Sequence, residues 1–154
     1  MEHTVKLAEV LLIDGKRPEV VRDCAALVDQ EVDAKSGISG LAIKTGYRVI
    51  KALKPGIITE AFDDLLNEFV GRLDPFFVAS HEAKAASFGD YVAPRAGEVA
   101  EALLGITDAR AARADNKTIK KTYEKLRPYG KKNVEQAVPG IGRLIDKHTA
   151  QTRR

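Results

Sequence analysis

The chain has 154 residues, a length typical of one domain. Its 25 Lys and Arg against 22 Asp and Glu give a net charge of +3, and a 44% hydrophobic composition excludes a disordered chain. Cys24 is the only cysteine, which excludes an internal disulfide and a zinc site built on several cysteines of one chain. No uncharged run exceeds the eight residues of 36–43, so we expect no membrane span. The N-terminus shows no signal peptide, and we therefore expect a cytoplasmic protein.

The spacing of apolar residues predicts helices throughout the chain. We expect an all-α fold, a compact single-domain bundle over residues 1–154 without a sheet, with a frayed tail from about residue 149. A short helix over 5–13 precedes a helix that begins near Pro18 and buries one face, formed by Val21, Cys24, Val28 and Val32. The next helix spans 38–53, and its apolar side carries Leu41, Ala42, Val49, Ile50 and Leu53.

The second half of the chain is predicted as four further helices. Thr59 caps a helix that ends before Asp74-Pro75. We place that helix at the centre of the core, with Phe62, Leu66 and Phe69 among the most buried residues. The capping-box pattern at 87–90 opens a helix that stops at Gly105. A short helix then follows over 107–114, and Asn116 caps the last of the four, which ends at Arg127-Pro128.

Charge is segregated along the sequence. Residues 35–54 hold five bases and no acid, and residues 117–133 hold seven bases and one acid. Residues 18–34 and 57–74 each hold five acids and one base. We interpret these blocks as helices that neutralise one another, within the chain or between chains; the alternative is a basic surface for phosphates or an acidic partner. Lys44, Arg48 and Lys51 share one helix face, a pattern also typical of helices on membranes or nucleic acids.

The sequence contains no recognisable catalytic or metal-binding pattern, so we predict no catalytic residue, no metal site and no cofactor, and we favour a protein that is not an enzyme. There is no phosphate-binding loop, and His81-Glu82 lacks the second histidine of a zinc protease. Glu60, Asp64 and Glu68 form a stripe about 12 Å long at 1.5 Å per residue, too long for one ion. Cys24 lies on an apolar face, so we expect a shielded structural thiol.

One segment resembles a known binding motif. Residues 134–142, ending in Pro139-Gly140-Ile141-Gly142, resemble the helix-hairpin-helix motif of DNA-binding proteins, although that family has a small residue where this chain has Asp146. The resemblance implies phosphate binding by backbone N–H groups at the glycines, without reading of base sequence. The residues implied in this nucleic-acid contact are Lys131, Lys132, Gly140, Gly142, Arg143 and Lys147.

A bent helix explains the same segment. Val134, Val138, Ile141, Ile145 and His148 keep a helical spacing straight through Pro139-Gly140. We favour this interpretation, a turn or kink without a functional hairpin. It predicts that alanine at both Gly140 and Gly142 stabilises the protein, because alanine is the better helix former.

The whole chain also resembles a family of uncharacterised bacterial proteins of about this length. The residues that carry this resemblance are 35–37, 40–44, 102–104 and 107–109. It implies an all-helical domain in a bacterial cytoplasm and supplies no site residue.

Three hypotheses for function follow. The first is a non-catalytic module that acts through protein contacts, with a protein partner or as a homodimer. The second is the sequence-independent binding of nucleic acid described above. The third is a small-molecule or lipid pocket near Phe62, Phe69, Phe76 and Phe77.

Overall fold

The computed structural model describes residues 6–150. The first residue of the predicted first helix and most of the predicted frayed tail lie outside these residues. In the described chain the α-helices are α1 (Leu7–Leu11), α2 (Arg17–Asp33), α3 (Gly37–Lys51), α4 (Ile57–Glu82), α5 (Phe88–Val92), α6 (Ala96–Ala112) and α7 (Lys117–Thr149), with a 3₁₀ turn at Ala93–Arg95 between α5 and α6. No strand occurs among residues 6–150, which confirms the predicted all-α class.

The core lies where the two long helices, α4 and α7, meet the shorter ones. Phe77 on α4 and Phe88 on α5 are the largest fully buried side chains, with their ring centroids 6.0 Å apart. Phe62 and Phe69 are only half-buried, so the prediction that they are among the most buried residues is wrong, whereas Leu66 between them is buried. Of the rings named in the pocket hypothesis, Phe77 is fully buried among core side chains, and Phe62, Phe69 and Phe76 are half-buried.

The sequence predicted that α4 ends before Pro75, but the helix continues to Glu82. Its buried residues Leu66, Val70, Leu73 and Phe77 recur at one helical spacing across the proline. An interior proline costs about 3 kcal/mol, and burying Phe77 with its neighbours offsets that cost. Pro75 itself and Gly71, whose carbonyl loses its donor, are both exposed and so remain accessible to water.

Helix α7 runs for 33 residues through Pro128 and Pro139, where the sequence predicted an end and a turn or kink. Both prolines are exposed, and so is Glu124, whose carbonyl loses its hydrogen-bond donor because of Pro128. No turn separates two helices at Pro139-Gly140-Ile141-Gly142. The hairpin geometry and the predicted turn are therefore both absent from this segment, and the apolar spacing through it reflects one continuous helix.

The structure confirms some of the predicted helix boundaries and corrects others. Ser87 accepts a hydrogen bond from the backbone N–H of Asp90 at 2.9 Å, and Asn116 accepts one from Ile119 at 3.1 Å, which confirms both predicted caps. Gly105 lies inside α6 rather than at its end. The residue before α4 is Gly56, with φ of 74°, rather than the predicted cap Thr59.

The glycines of α7 mark its closest contacts. A Cβ atom on Gly142 would lie 2.6 Å from the Cα of Gly89 on α5, and one on Gly140 would lie 2.5 Å from a methyl of Leu27 on α2. One turn beyond Gly142, the Asp146 carboxylate accepts hydrogen bonds from the backbone N–H groups of Phe88 and Gly89, at 2.8 and 3.0 Å. Asp146, the departure from the DNA-binding motif, thus caps α5 from a neighbouring helix.

The first short helix is held in the same way. The Asp74 carboxylate on α4 accepts a hydrogen bond from the N–H of Leu7 at 2.8 Å. Leu7 and Leu11 are fully buried. Each five-residue helix therefore combines a carboxylate at its N-terminus, supplied by a long helix, with apolar side chains in the core.

Within residues 6–150, no helix combines the length and apolar character that crossing a bilayer requires.

The glycine contacts reverse the expected effect of alanine in α7. We predict that Gly142→Ala destabilises the protein by about 1–3 kcal/mol, because the new methyl meets backbone that cannot move aside. Gly105→Ala is the matched control, since its Cβ would approach nothing nearer than 3.9 Å in the interior of α6. That variant should stabilise by up to about 1 kcal/mol. Urea denaturation measures both, and equal stabilisation by the two substitutions would contradict the close α5–α7 contact.

Candidate functional site

Helix α3 is positioned by small residues on its inner side. Gly37 begins the helix with φ of 75°, and Gly40 fits against the backbone of Lys35, where a Cβ would come within 2.8 Å. Gly46 faces Leu126 of α7, and a Cβ there would lie 2.7 Å from a leucine methyl. Gly40 and Gly46 are both buried. Gly46 lets α3 sit close to α7, whereas Gly40 makes room for the chain that enters α3 at Lys35.

The outer side of α3 carries a row of aliphatic side chains. Ile38 is 88% exposed, Leu41 is 66% exposed, and Val49 and Leu53 are each 39% exposed. With Thr45, which is also exposed, these residues recur at helical spacings of three and four, and we call them the α3 stripe. The apolar side predicted for α3 therefore does not face the core at Leu41, Val49 and Leu53. Four of the five exposed large hydrophobic residues of the described chain belong to this stripe, and the fifth is Ile13.

Cations border the stripe. Lys44 and Arg48 lie one turn apart beside Leu41, and no carboxylate or hydrogen-bond acceptor pairs with either side chain within the described residues. Lys51 lies 3.6 Å from Asp29 of α2, with its ammonium 5.2 Å from the centre of the Tyr47 ring. The structure thus places the three predicted cations on one helix, with Lys51 partly neutralised and the other two not.

Tyr47 fixes α3 to α2. Its hydroxyl donates a hydrogen bond to the Asp29 carboxylate. Burial, reinforced by this hydrogen bond and by the charge of Asp29, raises the pKa of Tyr47 well above its ordinary value. The hydroxyl is therefore neutral at any physiological pH, and this contact holds the orientation of the α3 stripe.

The residues implied in nucleic-acid contact are spread along α7. Gly140 and Gly142 are buried, and their places against Leu27 and Gly89 leave no room for a phosphate. Lys131 forms an ion pair with Glu101 at 3.1 Å and Lys147 forms one with Asp23 at 2.9 Å. These two lysines are about 24 Å apart along the helix. Lys132 and Arg143 are exposed. The structure does not bring these six residues together.

A polar cluster joins α2 to the end of α7. The Asp23 carboxylate lies 2.9 Å from Nζ of Lys147 and 2.7 Å from Nε2 of the buried His148. The hydrogen bond from Lys147, followed by that from His148, lowers the pKa of Asp23. Next to it, burial and the charge of Asp23 raise the pKa of Cys24 to about 12. A thiol with that pKa is protonated at neutral pH, as expected for a structural cysteine.

A cleft between α6 and α7 has a volume of about 640 Å³. The Asp108 carboxylate binds the Arg127 guanidinium at 2.7 and 3.0 Å and accepts a hydrogen bond from Tyr123. The hydrogen bond from Arg127 holds the pKa of Asp108 below its ordinary value, and burial raises the pKa of Tyr123. These groups satisfy one another, so the arrangement fastens α6 to α7.

No three His, Cys, Asp or Glu side chains within residues 6–150 form a group that could hold a metal ion.

The α3 stripe is the feature that the sequence prediction missed. Helix α3 has aliphatic residues on nearly every side, so their spacing alone does not distinguish the inner face from the outer one. The informative signal is Gly46, since glycine inside a helix costs stability and indicates close approach of another element, here Leu126 of α7.

The Asp108 cluster predicts a pH-dependent contribution to stability. Because the folded protein lowers the pKa of Asp108 below its ordinary value of 3.8, the charged carboxylate stabilises the fold at neutral pH. That contribution is lost as the pH falls below 3.8 and through the lower pKa of the folded state. We predict that Asp108→Asn costs about 0.5–1 kcal/mol at pH 7, a modest value because the cluster is partly exposed.

Urea denaturation at a series of pH values tests this prediction. The difference between Asp108→Asn and the unsubstituted protein should shrink as the solution is acidified below 3.8. Asp64→Asn serves as the control, because Asp64 is exposed on α4 and has no partner in the described chain. A constant difference across the pH series would show that Asp108 does not contribute through its charge.

Comparison with known proteins gives a family but no activity. No curated protein and no solved structure shows significant similarity to the chain. A family model described as a family of unknown function, DUF6918, matches residues 7–149. This match covers nearly all of the helical domain described above, from α1 to the end of α7. The chain therefore belongs to the family of unknown function DUF6918.

Proposed function

We propose that this protein is a non-catalytic helical binding module that acts through contact with another protein, and that the α3 stripe is its contact surface. The observation that carries the proposal is the exposure of Ile38 and Leu41, at 88% and 66%, within one row of aliphatic side chains. Single exposed hydrophobic residues are ordinary, but Ile38, Leu41 and Val49 are exposed in one row along α3, with Thr45 between the last two.

The energetics of the stripe support this proposal. Burying a Leu, Ile or Val side chain that was exposed is worth about 1.5–3 kcal/mol. The two most exposed residues, Ile38 and Leu41, lie one turn apart and could enter one contact together. Helices that recognise other proteins use such anchors at spacings of three and four residues.

The arrangement of titratable groups agrees with a binding role. In the cleft between α6 and α7, the Asp108 carboxylate is occupied by Arg127 and Tyr123. Cys24 is protonated because its pKa is raised to about 12. Neither place offers a reactive nucleophile beside an available base, the arrangement that covalent catalysis uses.

Site-specific photo-crosslinking tests the proposal. We predict that p-benzoyl-phenylalanine in place of Leu41 forms a discrete crosslinked species in an extract of cells that express this protein naturally. The same reagent in place of Glu98, exposed on α6, is the control and should form none. A product at twice the chain mass would identify the partner as a second copy.

A second substitution distinguishes a specific contact from adventitious capture. Val49→Asp places a charge two turns along the stripe and should abolish the crosslink from position 41 without unfolding the protein. The proposal fails if position 41 forms no crosslink, if position 98 gives the same products, or if Val49→Asp leaves the crosslink intact.

A further inference from the structure

We infer that the partner of the α3 stripe presents an acidic amphipathic helix, whose apolar side chains pack on the stripe while its carboxylates pair with Lys44 and Arg48. This inference rests on the proposed function and specifies the chemistry of the partner. It begins from two unpaired cations beside an uncovered apolar row, in a segment of the chain that has five bases and no acid.

The unpaired state of Lys44 and Arg48 is unusual among the cations near them. Lys35 pairs with Glu31 at 3.6 Å, Lys51 with Asp29 at 3.6 Å, and Lys54 with Glu60 at 2.8 Å. The neighbouring helices thus neutralise the cations at both ends of the segment. Lys44 and Arg48, in the middle beside Leu41, have no such partner within residues 6–150. An acidic ligand lying along the stripe would supply the missing carboxylates.

A second copy of the chain fits this surface poorly. Because residues 35–54 contain no acid, pairing α3 with α3 would bring cations together without carboxylates. In a symmetric antiparallel pair, the edges that bear Lys44 and Arg48 would face each other. The acidic helix α4 of another copy offers charge but no large exposed hydrophobic residue. Self-association through α3 would therefore satisfy either the apolar contact or the charges, but not both.

Nucleic acid and membrane surfaces also match less well. Bases bind single-strand sites by stacking on aromatic rings, whereas the stripe consists of Ile, Leu, Val and Thr side chains. A flat anionic membrane would also approach Asp33 of α2, which is exposed and forms no ion pair within residues 6–150. A ligand only one helix wide can cover the stripe and avoid this acid.

Synthetic helical peptides test this inference directly. The acidic probe is an 18-residue peptide with leucines at positions i, i+3, i+4 and i+7 and glutamates along both flanks. One control peptide carries lysines in place of the glutamates, and another carries alanines in place of the leucines. Fluorescence anisotropy with the full chain should show at least tenfold tighter binding of the acidic leucine peptide than of either control. Its affinity should fall as the salt concentration rises.

Charge-reversed variants assign the binding to the named residues. Lys44→Glu with Arg48→Glu should weaken binding of the acidic peptide at least tenfold. Arg113→Glu with Arg143→Glu changes the net charge equally at two exposed positions, one directly after α6 and one on α7, and it should leave binding within about threefold. Leu41→Asp should abolish binding, and circular dichroism should show that each variant keeps its helix content.

Several results would overturn the inference. One is equal affinity for the acidic and the basic peptide. A second is an equal loss of peptide affinity in the two double variants. A third is binding of a DNA duplex or of anionic vesicles when the acidic peptide does not bind. If position 41 still crosslinks to a protein while the acidic peptide fails, the inference is wrong and the proposed function stands. If position 41 forms no specific crosslink, the proposed function itself is wrong.

Discussion

The contact between α7 and α5 is the constraint on which the rest of the structure depends. Gly142 touches the backbone of Gly89, and one turn later the Asp146 carboxylate caps the first two N–H groups of α5. This contact requires glycine at position 142 and a hydrogen-bond acceptor at position 146, both on the same helix. Because α7 continues through Pro139, the helix that holds α5 at Gly142 and Asp146 is the same helix that meets Leu104 of α6 at Gly130.

The position of α3 follows from the same long helix. Because α7 continues through Pro128, Leu126 stays in line with the core and presents its methyl groups to Gly46. The side of α3 that carries Gly46 therefore meets α7, and Tyr47 is held by Asp29 on α2. Ile38 and Leu41 lie away from these contacts and are exposed. The apolar surface is thus a consequence of how α3 is seated, and it is available for a partner.

The sequence predicted the helical class and two of the caps, since these depend on local patterns. Ser87 and Asn116 are hydrogen-bond acceptors at the start of apolar spacings, and the structure uses both. It did not predict that α4 and α7 continue through their prolines. The proline rule describes a local cost of about 3 kcal/mol, whereas the compensating burial of residues such as Phe77 and Val138 depends on distant helices.

The candidate site was harder to predict because its decisive feature is an orientation. The cations Lys44, Arg48 and Lys51 could be assigned to one helix face from spacing alone. Whether Leu41 lies inside or outside depends on which neighbour α3 meets, and spacing does not determine that. The glycines of α7 show the same limit: helix propensity favours alanine, but Gly142 is set by the backbone of Gly89 across the interface.

Two matched aspartate substitutions on α3 measure which side of this helix faces the core. Leu41 is 66% exposed, whereas Ile43, two positions along, is half-buried on the inner side. Urea denaturation should show that Leu41→Asp changes the free energy of unfolding by less than about 0.5 kcal/mol, as for other surface substitutions. Ile43→Asp should lower the free energy of unfolding by about 1–3 kcal/mol, because it places a charge against apolar neighbours. A larger loss for Leu41→Asp than for Ile43→Asp would show that the aliphatic stripe faces the core and would contradict the account.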